Sequence, residues 1–140
     1  MNKQIFFDHE KLIIYQRALE VIVFFEMIFE KKIGASYKGQ LERASSSIAH
    51  NIAEGNGKFT GKDRCKYFDI ARGSALECAS GLDIKYIKKK IFSEELYKGK
   101  SLLKEVVSML VGLIKSNSTN RVYEPSVEYI ADDNLREKED

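Results

Sequence analysis

Apolar residues recur every three or four positions through four long stretches of the chain, and no stretch alternates with the period of two that a strand needs. The first stretch predicts a helix from Asp8, a residue suited to an N-cap, to about Lys32. Leu12, Tyr15, Leu19, Ile22 and Phe29 form one stripe along it, and Ile14, Ala18, Val21, Phe25 and Ile28 form an adjacent one. One stripe is enough to face a core. The second favours cover by a neighbouring subunit over a thicker core of the same chain. Gly34 ends this helix, with Lys31 and Lys32 set against the negative end of its dipole.

A second helix is predicted from about Ser36 to Asn56, with Leu41, Ala44, Ser45, Ile48 and Ile52 as its apolar edge. The run from Ser45 to Lys58 is unusual for a bundle helix, being small and polar apart from Ile48 and Ile52, four positions apart on one face. Gly55 and Gly57 stand where a left-handed residue would close it. Thr60-Gly61-Lys62-Asp63 has the form of a capping box and opens a third helix, which Phe68, Ala71, Ala75, Ala79, Leu82 and Tyr86 carry to about Lys90. Gly73 and Gly81 inside that helix each cost roughly 1 kcal/mol against alanine, which predicts close helix–helix contact at both points. Ser93 caps a fourth helix, with Glu94 and Glu95 at its positive end. Leu96, Leu103, Val106, Leu110, Leu113 and Ile114 carry it to about Ser116.

Four long helices with short connections predict an all-α protein, an antiparallel up-down-up-down four-helix bundle spanning residues 1–121. Residues 122–140 lose the periodicity and read as an acidic, flexible C-terminal tail. The charge divides at the same place. Residues 1–121 hold 21 Lys/Arg against 14 Asp/Glu, a net +7, whereas residues 122–140 hold 2 against 7, a net −5. A basic body with an acidic tail points towards nucleic acid. No hydrophobic run is long enough to span a bilayer, and the N-terminus has no signal-peptide core, so a cytoplasmic protein is expected. Cys65 and Cys78 lie thirteen residues apart within one predicted helix, on the order of 20 Å, too far for a disulfide and in keeping with a reducing compartment.

Candidate chemistry is sparse. A di-iron bundle needs repeated Glu-x-x-His, which is absent, and neither cysteine belongs to a close zinc-ligand pair. His50 and Glu54 sit one turn apart, and Ser46 joins them on that face. A bundle helix, however, provides neither a strained nucleophile nor an oxyanion hole. No phosphate loop or dinucleotide fingerprint occurs, so no catalytic residue, metal or cofactor is predicted. Two features remain. Arg43, Ser47, Asn51, Glu54, Arg72, Ser74 and Glu77 would be costly if half buried and unpaired. They are expected to form a network fixing helix register or, as the functional alternative, a polar rim at a subunit interface or groove. The second feature is basic: Lys58, Lys62, Arg64 and Lys66 around the turn between helices 2 and 3, and Lys85, Lys88, Lys89 and Lys90 at the far end of helix 3. These are candidate phosphate contacts with no base code of their own. Tyr67, Tyr86 and Tyr97 are candidate stacking residues near them.

Three stretches carry a family resemblance: Leu41-x-Arg43-Ala44-Ser45-x-Ser47-Ile48, Asn51-Ile52-Ala53-Glu54-Gly55-x-Gly57-Lys58, and Ile70-Ala71-Arg72-Gly73-Ser74-Ala75-x-Glu77. With Leu12-Ile13-Ile14-Tyr15-Gln16-Arg17-Ala18 as an opening, the chain resembles over residues 8–116 the four-helix-bundle proteins encoded in intervening sequences of bacterial 23S ribosomal RNA genes. Lys58 stands where arginine is usual, keeping the charge but losing the bidentate fork. The resemblance implies a homopentameric ring. It also implies kinship with the accessory variability determinant of diversity-generating retroelements, a basic pentamer that works with a reverse transcriptase and RNA. It supplies no reaction. The expected partners are therefore further copies of the chain, RNA or DNA, and a reverse transcriptase or other protein. A protein-interaction scaffold without a nucleic-acid role is the alternative.

Overall fold

A computed structural model describes residues 4–30 and 35–118. Four helices account for almost all of them: α1 (Ile13–Phe29), α2 (Ala35–Asn56), α3 (Gly61–Ile87) and α4 (Ser93–Asn117), with no strand among the described residues. α2 packs along α3 and α3 along α4, while α1 lies against both α2 and α4. The protein is an all-α helical bundle. The predicted Gly34 cap, Lys31, Lys32 and the acidic tail of residues 122–140 lie outside the described residues.

One core runs through the four helices. α1 contributes Ile14, Ala18, Val21, Phe25 and Ile28, α2 contributes Leu41, Ile48 and Ile52, α3 contributes Phe68 and Leu82, and α4 contributes Leu103, Val106, Leu110 and Ile114. The α3 side of the core is otherwise small, built from Ala71, Ala75, Cys78 and Gly81, and this lets α2 approach closely. Three glycines mark points where side chains of neighbouring helices crowd the backbone. A Cβ on Gly81 would run into Leu41 of α2, one on Gly55 would stand 2.6 Å from Phe68 Cε1, and one on Gly99 would stand 2.6 Å from Phe24 Cε1. Across α1 and α4, Arg17 Nε donates to Glu105 Oε1 at 2.9 Å.

Several local expectations change. The first helix does not begin at Asp8. A single 3-10 turn, Asp8–Lys11, is followed by Leu12 in extended conformation, and α1 starts after it. Glu10 causes the break, since its Oε2 accepts from the backbone N–H of Phe6 at 2.9 Å and of Phe7 at 2.6 Å, a local arrangement that competes with a continuous helix. Asp8 does not cap a helix but accepts from Asn56 Nδ2 at 3.1 Å, tying the N-terminal turn to the end of α2. Thr60 caps α3 as expected, its Oγ1 accepting from Asp63 N at 3.1 Å. Ser93 is the first residue of α4 instead of its cap. Phe92 holds the cap position, its N–H donating to Glu95 Oε1 at 2.8 Å.

Neither Gly55 nor Gly57 is left-handed, and among the described residues only Lys89 has positive φ, at 59°. The helix past Ile87 closes as a Schellman motif: Lys89 N–H donates to Tyr86 O and Lys90 N–H to Lys85 O, both at 2.9 Å. Gly73 is exposed with nothing within 4 Å of where its Cβ would stand, so it marks no contact within the protomer. The two stripes of α1 also share one core. The second is buried, while Leu12, Tyr15, Leu19 and Ile22 of the first are half-buried against the same residues. What α1 leaves exposed is instead Ile13, Val23 and Met27.

Candidate nucleic-acid interface

Three helix ends converge where α2 turns into α3. α2 closes by Gly57 N–H donating to Ala53 O at 3.1 Å and Lys58 N–H to Gly55 O at 3.2 Å. Gly61 then passes so close to the last turn of α4 that any side chain there would strike the Asn117 carbonyl oxygen. Arg64, one turn into α3, staples the junction. Its Nε donates to Lys58 O at 2.7 Å and its Nη1 to Asn117 Oδ1 at 3.5 Å. Its guanidinium thereby helps to hold the turn. Lys58 is half-buried, its ammonium 3.9 Å from Glu54 Oε2 and 5.0 Å from the centre of the Tyr67 ring. Tyr67 thus offers its face to a lysine of its own chain.

Lys62 and Lys66 are different. Both are exposed on the outer side of α3, and a four-residue separation puts them about 6 Å apart at Cβ. Between Lys58 and the Thr60 cap stands Phe59, 100% exposed. It was not among the residues singled out from the sequence. The available signal was its place in a turn with Gly57, Lys58 and Thr60 around it.

The other basic group is divided by burial. Lys88, Lys89 and Lys90 are exposed, but Lys85 is only 3% exposed, which corrects its expected place among the solvated lysines. Burial, and secondarily the charges of Lys88 and Lys90, push its pKa below the usual lysine range. The helical period explains the difference: Lys85 falls on the inner face of α3 with Cys78 and Leu82, whereas the three later lysines follow the helix end. Further along, Lys100 Nζ pairs with Asp83 Oδ1 at 2.8 Å. Tyr86 and Tyr97 are both exposed.

The polar residues of α2 and α3 come together only in part. Ser47 Oγ and Ser74 Oγ lie 2.8 Å apart across the two helices, and Asn51 Nδ2 donates to Ser47 O at 2.8 Å and to Ser47 Oγ at 3.0 Å. Arg43, Glu54 and Glu77 are exposed and Arg72 half-buried, with Glu77 Oε1 accepting from Gln40 Nε2 at 3.2 Å. His50 and Glu54 line a shallow cleft with His9 and Lys58. No group of three or more metal-ligating side chains occurs among the described residues. Cys65 and Cys78 are buried free thiols. The surface presents exposed ammonium groups in two places, Lys62 and Lys66 near the α2–α3 turn and Lys88, Lys89 and Lys90 beyond the end of α3.

These features define a class: an all-α helical bundle with exposed lysines at both ends of α3. The chain matches the model of the 23S rRNA-intervening sequence protein family over residues 10–112 and belongs to that family. Among solved structures it is similar to a protein of unknown function from the S23 ribosomal protein family of Bacteroides thetaiotaomicron. The likeness has a TM-score of 0.68 at 20% identity, covering 74% of this chain and 99% of that one, and it is one of fold. No match is found among curated proteins. No helix in the described residues is long and apolar enough to cross a membrane.

Proposed function

We propose that the protein is a non-enzymatic, homo-oligomeric nucleic-acid-binding protein that holds RNA or DNA backbones through lysines at the ends of α3. The observation that carries this reading is the pair Lys62 and Lys66, exposed one helical turn apart beside a turn that Arg64 fastens in place. Lys58 adds charge at the same turn, and Lys88, Lys89 and Lys90 form a second patch at the opposite end of the helix. Such contacts neutralise phosphates without reading sequence. In a ring of copies, weak patches act together, and the loss of one lysine per subunit is multiplied around the assembly.

The up-down-up-down order and the pentameric ring belong to the same reading. Supporting the first, the end of α2 meets the start of α3 at Gly55 and Phe68, and the end of α3 meets the start of α2 at Gly81 and Leu41. Supporting the second are apolar side chains that the protomer leaves uncovered: Ile70, Leu76, Ile84 and Ile87 on the outside of α3. That seam also favours the alternative, a scaffold that binds protein and not nucleic acid. Two buried free thiols fit a reducing cytoplasm.

The test is binding of labelled RNA and DNA as a function of salt, with the mass of the assembly measured in the same buffers. The proposal expects measurable affinity at low salt that falls linearly on a log–log plot, and a shallower slope for Lys62→Gln/Lys66→Gln. An intact assembly that binds neither polymer at low salt leaves the scaffold reading. A monomer in solution overturns the ring.

A further inference from the structure

We propose that Phe59 is a base-stacking residue, and that the ligand of the α2–α3 turn is single-stranded nucleic acid with an unpaired base laid on its ring; this rests on the reading of the turn as a phosphate-binding site. The ring is 100% exposed, the most exposed of the large apolar side chains among the described residues. Its place is nevertheless fixed on both sides. Lys58 before it is held through its carbonyl by Arg64 Nε at 2.7 Å, and Thr60 after it caps α3 by accepting from Asp63 N at 3.1 Å. An aromatic ring without local cover on a held backbone leaves its faces open to a flat ligand, with only the side-chain torsions left to order on binding.

The surroundings decide which flat ligand. Lys62 and Lys66 stand exposed within the first two turns of α3, and Lys58 adjoins the ring in sequence. A subunit interface draws on contiguous apolar surface and is depleted in lysine. The protomer has such a surface elsewhere, in the seam that begins at Ile70, nine residues and about 14 Å along α3 from its first residue. An exposed aromatic next in sequence to Lys58 and close before Lys62 and Lys66 is instead the combination that binds a polynucleotide strand, the cations on phosphates and the ring on a base. In a duplex the bases are already stacked on one another and offer no free face. The ring therefore adds nothing to duplex affinity, and strandedness is what Phe59 selects.

The chain contains no tryptophan, so Phe59→Trp places a single reporter at the proposed stack. The full-length protein is titrated with oligouridine, with oligodeoxythymidine and with an RNA duplex of equal length at low salt. Quenching of the introduced indole's fluorescence by either single strand and not by the duplex is expected. Phe59→Ala is expected to weaken single-strand binding roughly tenfold at each site, to leave duplex binding unchanged, and to be rescued by Phe59→Tyr. Lys62→Gln/Lys66→Gln is expected to weaken both ligands. If wild-type protein binds both forms and Phe59→Ala changes neither, stacking is wrong while the phosphate site stands. If wild-type protein binds neither form, the phosphate site falls and the stack with it. If Phe59→Ala lowers the mass of the assembly, the ring is a contact between copies and the proposal is overturned.

Discussion

α3 carries apolar residues on two faces, each with a glycine among them, and the two faces behave differently. The inner face is tiled with Ala71, Ala75, Cys78 and Gly81, all buried, and the small residues are there because α2 and α4 leave no room for larger ones. The outer face carries Ile70, Gly73, Leu76, Ile84 and Ile87, also apolar but mostly large, and all exposed in the protomer. Gly73 and Gly81 lie eight residues apart in one helix, yet a Cβ on Gly81 collides with Leu41 while one on Gly73 meets nothing. A small residue in a helix is therefore evidence of close approach only once its face is known. On one side of α3 the approaching partner is another helix of the same chain. On the other side the protomer brings nothing within 4 Å of the Gly73 Cβ position.

The largest effect should come from filling the inner face. Gly81→Val puts branched carbon where Leu41 already sits, and overpacking of this kind costs about 3 kcal/mol. Gly55→Val should do comparable damage against Phe68, whose ring already lies within contact distance. Urea unfolding would show both as a lowered midpoint with an unchanged slope. A loss below about 1 kcal/mol at Gly81 would mean that α2 yields more readily than the packing of its neighbours implies.

The sequence disclosed the helices well and their neighbours poorly, for a physical reason. Periodicity reports which residues share a face, so the four helices, the Thr60 cap and much of the core were legible. Tyr86, expected on the apolar stripe of α3, is nevertheless exposed, and Phe24 and Val107, placed on no stripe, are buried. Periodicity does not report what lies opposite a face. Gly73 and Gly81 were thus indistinguishable, and the two stripes of α1 looked like two interfaces when they are the centre and the edge of one. The same limit applies at the candidate site. Lys85 and Lys88 are three residues apart in a basic run, but the first turns inward and the second outward. Arg64 looked like a phosphate contact, and only the approach of α4 reveals that it bonds Lys58 O and Asn117. Glu10 broke the first helix by a side-chain choice that no period encodes.

A pH dependence separates the faces next. On the inner face, burial first and then the nearby Glu77 charge push the Cys78 thiol up to about 12. An unfolded cysteine ionises near ~8.5. The folded state thus holds this proton more tightly, so the group's stabilising contribution is complete below about pH 8.5 and is lost as pH rises towards 12. Lys85, with its pKa lowered, contributes in the opposite sense as pH approaches the ordinary lysine range. Comparing wild type with Cys78→Ala cancels the Lys85 contribution. The wild type should lose more stability than the variant between about pH 8 and pH 10.5. Equal losses would show that the thiol reaches water in the native state. Ser74→Ala is milder. It removes the Ser47 contact across α2 and α3, but Asn51 still serves Ser47, so about 1 kcal/mol is expected from the unfolding midpoint.

The smallest effect is the one that tests the outer face most directly. In the protomer alone, Gly73→Ala should stabilise, because alanine removes backbone freedom from the unfolded chain and the new methyl meets no neighbour, a gain of at most about 1 kcal/mol. If a second copy of the chain lays a helix along Ile70, Gly73, Leu76 and Ile84, the methyl enters that contact and the sign reverses. Unfolding midpoints measured across a range of protein concentration distinguish the two, since a contact between copies makes stability depend on concentration and an open face does not. A stabilised Gly73→Ala protein whose assembled mass equals that of wild type would place the subunit contact elsewhere, with Ile13, Val23 and Met27 of α1 the next apolar surface to test. A destabilised variant of lower mass would instead identify the outer face of α3 as the second place where this helix needs small residues, completing between subunits what Gly81 does within one.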